Sequence, residues 1–380
     1  MKRITLIQLG IGTVGGAVVE QVLENQERWR ELLGLDVVIG GIIGRSGALL
    51  DLAAGGLPPA TLQRVVEGRR QGSGLGEVVD KEGHELIPAA EAIAELTAER
   101  PSILLDAGAG AETAPLDVRA LTSGAGVVLS NKAPLALPLS NPLAGALWNA
   151  TEPGGHVRYE ATCGAGLPVI STLRSLLDTG DEVLAIVGVL SGTLGAIFSS
   201  IASGSTFSSA VRDAKEQGFT EPDPRDDLSG LDVARKALIL ARTIGRRIDL
   251  DAVEVESLVP SGLHAVDVST FMERVSELDA RIAAEHEQAT ADSRALKYVA
   301  NLSTDGSTAV GLQSIPTAGV LGALQGPENV VSIRTRRYDT YPVTIVGPGA
   351  GAAVTAAGML ADTLALSTDM LGGPRTVRTS

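Results

Sequence analysis

The sequence predicts an α/β protein in two parts, a Rossmann-type nucleotide-binding domain plus an α+β catalytic and dimerisation domain. Three observations carry that prediction. Residues 4 to 9 alternate as a strand, Gly10-Ile11-Gly12-Thr13-Val14-Gly15 makes a glycine turn, and Ala17, Val18, Val22 and Leu23 keep helical spacing to about residue 33. Strands and helices then alternate through the first half, as in an open parallel sheet. Late in the chain, alternating strands at 296 to 302, 309 to 312 and 329 to 338 follow one another, a pattern that fits a mainly antiparallel sheet.

With 380 residues, 44% of them apolar, the chain can fill two cores. The expected division is 1–150 with 340–380 as a discontinuous dinucleotide-binding domain, and 151–339 as the substrate-binding and dimerisation domain. A net charge of -14 argues against a nucleic-acid partner, which wants a basic surface to displace counterions. The single cysteine, Cys163, excludes an internal disulfide and fits a reducing compartment. Four scattered histidines make a Cys/His metal site unpromising. The start MKRITLIQLG runs straight into glycines without a cleavage site, and no apolar run approaches the roughly 18 residues needed to cross a bilayer. The expectation is a soluble cytoplasmic protein with a small-molecule substrate and no membrane partner.

In the first half, Gly10, Gly12 and Gly15 let the backbone approach a pyrophosphate, while Thr13 and Val14 open a helix whose amides favour an anion. There is no G-K-[ST], so a P-loop is not supported. The strand at 36 to 43 ends in Gly44-Arg45-Ser46, where an acid would bind the ribose hydroxyl of NAD. Arg45 suits a 2′-phosphate instead, so NADP is the first choice and NAD remains possible. Residues 57 to 83 read as a helix and an exposed loop without a role, and Gly/Pro-rich patches occur near 53 to 59 and 371 to 374. A strand at 103 to 106 leads into Ala107-Gly108-Ala109-Gly110, with Gly108 leaving room for the nicotinamide ribose. A helix at 113 to 123 and a strand at 126 to 129 follow, ending in Ser130-Asn131-Lys132, so Lys132 stands where open α/β sheets bind ligands.

The second half begins with a strand at 156 to 160 and the loop Glu160-Ala161-Thr162-Cys163-Gly164-Ala165-Gly166-Leu167-Pro168, an oxygen-only donor set that suits a hard cation. Cys163 could instead be an acyl-forming nucleophile, though His156 is the nearest base in sequence. A strand from residue 183 reaches Leu190-Ser191-Gly192-Thr193, and helices at 193 to 203 and 206 to 217 lead into TEPDPRDDLSGLDVARK, Thr220 to Lys236. Pro222 and Pro224 stiffen this charged stretch. Ser229 reads as an N-cap with Asp232 completing a capping box for a helix at 230 to 245. On that helix Asp232 and Lys236 share a face, and Leu231, Ala234, Leu238 and Ala241 form the core-facing stripe. A strand at 253 to 258 and a charged helix from about 270 to 289 follow. The last strand and its Gly-Pro-Gly-Ala-Gly turn, 343 to 351, and a helix at 352 to 364 are expected to return to the first domain, with Gly349 near the cofactor.

The stretch from Thr220 to Lys236 resembles the signature of homoserine dehydrogenase almost residue for residue, and Asn131-Lys132 and Ser191-Gly192-Thr193 are similar to segments of the same family. The resemblance implies reversible hydride transfer between NAD(P)H and L-aspartate 4-semialdehyde, giving L-homoserine. It implies a lysine at Lys132 that touches cofactor and substrate. It also implies a monovalent cation, usually sodium, held by Glu160 and the carbonyls of Cys163, Ala165 and Leu167. Reduction makes an alkoxide, so the site needs a proton donor, for which Lys236 is the candidate, aided by Asp227 and Lys132. Glu221 and Asp232 are candidates for the substrate amino group, Asp232 alternatively orienting Lys236. With about 14 residues after the last helix, a regulatory domain of the kind many bacterial relatives carry is not expected. A phosphorylating semialdehyde dehydrogenase using Cys163 and a dinucleotide sensor without turnover are the competing readings.

Overall fold

The computed structural model of the chain describes residues 1–51, 55–80, 85–98 and 100–372. The chain divides into two compact units, Met1–Gly166 joined by the segment from Gly351, and Leu167–Ala350. The first unit runs β1 (Lys2–Leu9), α1 (Thr13–Leu33), β2 (Leu35–Gly44), β3 (Gly47–Leu50), α2 (Pro59–Arg70), α3 (Leu75–Asp80), α4 (Ala89–Thr97), β4 (Ser102–Asp106), α5 (Ala114–Thr122), β5 (Gly126–Leu129), α6 (Pro142–Asn149) and β6 (Val157–Arg158). The second holds α7 (Val169–Asp178), β7 (Val183–Val189), α8 (Gly192–Ala202), α9 (Phe207–Glu216), α10 (Pro224–Leu228), α11 (Leu231–Thr243), β8 (Glu254–Val255), α12 (Val268–Arg274), α13 (Asp279–Ala291), β9 (Arg294–Leu302), β10 (Thr308–Pro316), α14 (Val320–Ala323), β11 (Glu328–Thr335) and β12 (Val343–Pro348). Helix α15 (Ala352–Leu371) then belongs to the first unit.

The first sheet has the order β3-β2-β1-β4-β5-β6, parallel except for the β2–β3 hairpin. Its strands are buried almost continuously, as parallel strands covered on both faces must be. Register sets Leu9 beside both Ile43 and Asp106, and Asp106 beside Leu129. The four loops that follow these residues therefore emerge at one edge of the sheet, where the strand order reverses between β1 and β4. One core joins Val18, Val19 and Val22 of α1 to Ile4, Val37 and Ile103 of the sheet and to Met359 and Leu366 of α15. Gly34, left-handed at φ 63°, ends α1 and turns the chain into β2.

The second sheet has the order β12-β11-β7-β9-β10-β8, antiparallel except where β8 runs parallel to β10. Helices α8, α11 and α13 pack on it through β9 and β10. Val187, Ser332 and Thr344 form one cross-strand row that is half-buried or exposed, while Val346, 47% exposed, pairs with the buried Val330.

Several expected boundaries shift, for physical reasons. The strand at 343 to 348 belongs to the second sheet, because it pairs antiparallel with β11. The division therefore falls at 350/351 rather than 339/340, and at 166/167 rather than 150/151. The expected strand at 156 to 160 keeps only Val157–Arg158, since Glu160–Thr162 coil into a 3-10 turn. The strand expected at 253 to 258 keeps only Glu254–Val255. The expected helix from 270 to 289 breaks into α12 and α13. Asp267 caps α12 through the Thr270 amide at 2.9 Å, and Asp279 of α13 accepts from the amide and hydroxyl of Ser208 at 2.7 Å each. The patches at 53 to 59 and 371 to 374 and the loop to residue 83 lie partly outside the described residues.

Candidate active site

The turn after β1 is built from glycines that serve different ends. Gly10 has φ 82°, and a Cβ there would stand 2.8 Å from the Ala107 carbonyl oxygen; at Gly15 it would stand 2.0 Å from the Gly10 oxygen. Packing alone dictates these two. A Cβ on Gly12 would meet nothing within 4 Å, so the space beside it is open. Gly12 is also the N-cap of α1, with no capping side chain and no acid in the first turn. The first amides of α1, at Thr13, Val14 and Gly15, are thus left to an anion from outside the helix. The Gln8 amide fixes the turn by donating to the Gly10 oxygen at 2.9 Å.

Arg45 and Ser46 are the two central residues of the β2–β3 hairpin, whose register sets Gly44 opposite Gly47. Arg45 is exposed and has no hydrogen-bond or ion-pair partner among the described residues. Such a guanidinium can meet a phosphate without first giving up another partner.

At the ends of β4 and β5 a buried network, unforeseen from the sequence, ties two loops together. The Asp106 carboxylate accepts from the Gly108 amide and the Thr113 hydroxyl at 2.7 Å each, and from the Asn131 side chain at 3.1 Å. The Asn131 amide also donates to the Gly110 oxygen at 2.7 Å, while its own oxygen accepts from Ala133 at 3.1 Å. Gly108 owes its identity to this network as much as to ligand room, because a Cβ would lie 2.9 Å from Asp106 Oδ1. Ser130 donates to the Asp106 backbone oxygen at 3.2 Å, and Lys132 next along is half-buried. A charged residue closing an otherwise apolar buried strand was the sequence signal that could have found Asp106.

In the second unit the charged stretch divides into α10 and α11. Asp223 caps α10 by accepting from the Arg225 amide at 3.0 Å, and its carboxylate takes the Arg225 guanidinium at 2.6 to 3.0 Å. The same guanidinium donates to the carbonyls of Leu263, His264 and Val266 and lies 5.6 Å from the Phe271 ring centre. The expected capping box is replaced by another device. Gly230, left-handed at φ 75°, precedes α11, and Ser229 instead donates to the Asp226 oxygen and accepts from the Leu231 amide at 3.3 Å. The reason is Tyr298, whose hydroxyl would lie 2.0 Å from a Cβ at 230. The sharp turn also leaves Leu231 44% exposed, so it leaves the predicted stripe, while Ala234, Leu238 and Ala241 are buried as expected.

Four predicted residues gather around this turn. Lys236 is only 8% exposed, and its ammonium donates to the Leu190 carbonyl at 2.6 Å and meets Asp232 at 2.8 Å. Asp227 accepts from the Glu221 amide at 2.8 Å, while Glu221 itself is exposed. Burial raises the Asp227 pKa, the Glu221 amide and Thr193 hydroxyl pull it down, and the charges of Glu221 and Asp232 push it up again. The one Thr193 hydroxyl proton is shared between Asp227 and the Phe219 oxygen at 2.6 Å, so the Ser191-Gly192-Thr193 turn, to which the sequence alone assigns no role, joins this site.

The loop from Glu160 is tightly held. Gly164 and Ala165 take φ 92° and 55°, Glu160 is 5% exposed, and its amide donates to Asp362 at 2.7 Å. The Ala165 oxygen sits 2.8 Å from where a Cβ on Gly358 would stand, and the Leu167 oxygen accepts from Val169 at 2.8 Å. Cys163 is fully buried, which denies an acyl-forming thiol its substrate. No cluster of three or more His, Cys, Asp or Glu suited to a metal occurs among the described residues. Gly349 is buried under Asn329, whose amide nitrogen would lie 1.8 Å from its Cβ, so packing within the second unit accounts for it. No helix among the described residues is long and apolar enough to cross a membrane.

The family model described as homoserine dehydrogenase matches residues 168–364. A homoserine dehydrogenase of Saccharomyces cerevisiae is 38% identical over 289 residues, covering 74% of this chain and 80% of the yeast protein. A chloroplastic bifunctional aspartokinase/homoserine dehydrogenase 1 of Arabidopsis thaliana is 36% identical over 375 residues, 96% of this chain but 39% of that one. The chain thus spans about two fifths of the length of such bifunctional relatives. Among solved structures, a mutant hyperthermophilic archaeal homoserine dehydrogenase in complex with NADPH superposes with a TM-score of 0.72 at 26% identity, covering 98% of this chain and 99% of that one.

Proposed function

The chain belongs to the homoserine dehydrogenase family, and from that premise we propose that it interconverts L-homoserine and L-aspartate 4-semialdehyde with NADP, or less favourably NAD. The observation that carries the reading is the buried Lys236 ammonium, held between Asp232 and the Leu190 carbonyl in the family's own signature stretch.

The open space at Gly12 and the uncapped start of α1 fit a pyrophosphate, and the exposed Arg45 at the β2–β3 turn fits a 2′-phosphate. When bound, the nicotinamide supplies or accepts the hydride. The protein's share is a proton and an orientation. Lys236 gives its proton to the alkoxide that forms as the aldehyde is reduced, and regains it from solvent. The 2.8 Å contact supports Asp232 as the group that orients Lys236, which leaves Glu221 for the substrate ammonium, while Asp227 helps position the reacting group. Lys132, next to the Asp106 network, contacts cofactor and substrate.

A monovalent cation at the loop of Glu160, Cys163, Ala165 and Leu167 belongs to the same reading, supported by its oxygen-only donors and by the turned backbone at Gly164 and Ala165. So does a homodimer formed through the half-exposed sheet face that carries Val187 and Val346. The deciding experiment follows reduced nicotinamide as the purified protein meets L-homoserine with NADP, then with NAD. Turnover with NADP is expected, and none with either cofactor would overturn the reading.

A further inference from the structure

Asp117, on α5, has no part in the chemistry above, yet it is fully buried and neither carboxyl oxygen has a hydrogen-bond donor among the described residues. Its neighbour is Asp106, equally buried, whose oxygens already accept from Gly108, Thr113 and Asn131. Elements β4, β5, α4 and α6 and the turn Ala111–Thr113 pack around α5, and of the titratable groups they present among the described residues, Glu91, Glu95, Glu112 and Asp106, only Asp106 acts on Asp117. Two carboxylates in a dry site repel, and neither can donate; a single proton turns the repulsion into a hydrogen bond. Burial first, and then the Asp106 charge, push Asp117 well above the usual carboxylate range. Asp106 is raised by burial too, but its three donors work against that.

We propose that Asp117 keeps its proton at neutral pH and donates it to Asp106, making the two carboxyls a positioning pair for the dinucleotide-binding loops 107–110 and 130–132. The proposal rests on the dinucleotide reading of the first unit. Asp106 is the hub that joins both loops, because Asn131 bridges it to Gly110 and Ala133. Losing the Asp117 proton sets two negative charges against each other at that hub and loosens both loops together.

The sign of the pH effect follows. Unfolded, Asp117 ionises near 3.8; folded, it does so only at higher pH. Relative to a neutral isostere, the fold therefore loses stability as pH rises above about 4, until the folded group itself ionises. Asp117→Asn keeps a donor for Asp106 and cannot ionise. Its melting temperature should gain several degrees on the wild type between about pH 5 and about pH 8. A gap that stays constant with pH would overturn the shared proton, with no ligand involved. In fluorescence titrations with NADPH alone at neutral pH, Asp117→Ala should bind about tenfold more weakly and Asp117→Asn within about twofold of wild type. Wild-type affinity should also fall toward alkaline pH while that of Asp117→Asn stays flat. Asp117→Ala binding NADPH like the wild type, or Asp117→Asn sharing the wild-type alkaline fall, would overturn the positioning role. Should Asp117→Ala fail to fold, the two pH comparisons with Asp117→Asn still decide. A wild type that binds no NADPH would overturn the positioning role and the dinucleotide reading together, and the melting gap separates that failure from an error about the proton.

Discussion

The turn at Gly10–Gly15 and the charged stretch at Thr220–Lys236 are candidate sites built by opposite means. The first is built from backbone: glycines that permit close approach, a helix start without a capping side chain, and Gln8 pinning the turn. The second is built from side chains, some fixed by partners far away in sequence, as Lys236 is by Leu190 and Arg225 by Leu263, His264 and Val266, and others by near neighbours, as Asp227 is by the Glu221 amide. A backbone site should lose binding when a methyl fills its open space, whereas a side-chain site should lose turnover when a charge is removed.

The largest expected effect tests that contrast at Lys236. Lys236→Ala should lower kcat by roughly 10² to 10⁴ while NADPH binding is kept, because it removes a proton donor and leaves the backbone turn untouched. Single-turnover kinetics with L-homoserine measure it, and an unchanged kcat would end the assignment.

Next comes Arg45, the one side chain that the first site should need. Arg45→Asp should swing the NADP-to-NAD preference by roughly ten- to a hundredfold toward NAD, the scale of a lost charge-assisted hydrogen bond. Steady-state kcat/KM with each cofactor reads it directly, and a preference that does not move would show the hairpin turn to lie away from the ribose.

The glycine turn itself offers a paired test. Gly12→Ala should raise the KM for NADP about tenfold without moving the melting temperature, since its methyl points into open space. Gly15→Ala should instead destabilise the fold, because its methyl would lie 2.0 Å from the Gly10 oxygen. Thermal melts and cofactor titrations separate the two. Equal effects from both would mean that Gly12 has a packing role the open space does not reveal.

The same contrast explains what the sequence made legible. Strands β1, β2, β4 and β5, the glycine turn and the antiparallel character of the second sheet follow from local periodicity, and the structure repeats them within a residue or two. Local pattern could not foresee Gly230 displacing the capping box, because its cause is Tyr298 on another strand. Nor could it foresee that 343 to 348 would pair with β11 rather than return to the first sheet, a choice between two partners that alternation cannot rank. In the second unit the residues Glu221, Asp227, Asp232 and Lys236 were visible as a cluster of charge. Thr193 and the Leu190 carbonyl, which complete their surroundings, were not, since only tertiary packing brings the end of β7 to α11.

The smallest effect is expected at Arg225, and it asks whether the side-chain site depends on its anchor. Arg225 is planar and forked, and it reaches Asp223 with one edge while three carbonyls take the other. A lysine keeps the charge but offers one point of attachment in place of the fork. Arg225→Lys should therefore cost about 1 to 3 kcal/mol of stability. The KM for L-homoserine should rise a few-fold, because α10 carries Asp227 and the loop before it carries Glu221. The KM for NADP should stay put, since nothing in the glycine turn depends on this guanidinium. If both KM values moved together, the two sites would be coupled through the fold and the division between a backbone site and a side-chain site would fail. If only the melting temperature moved, Asp227 would owe its place to the Glu221 amide and Thr193 rather than to the Arg225 anchor.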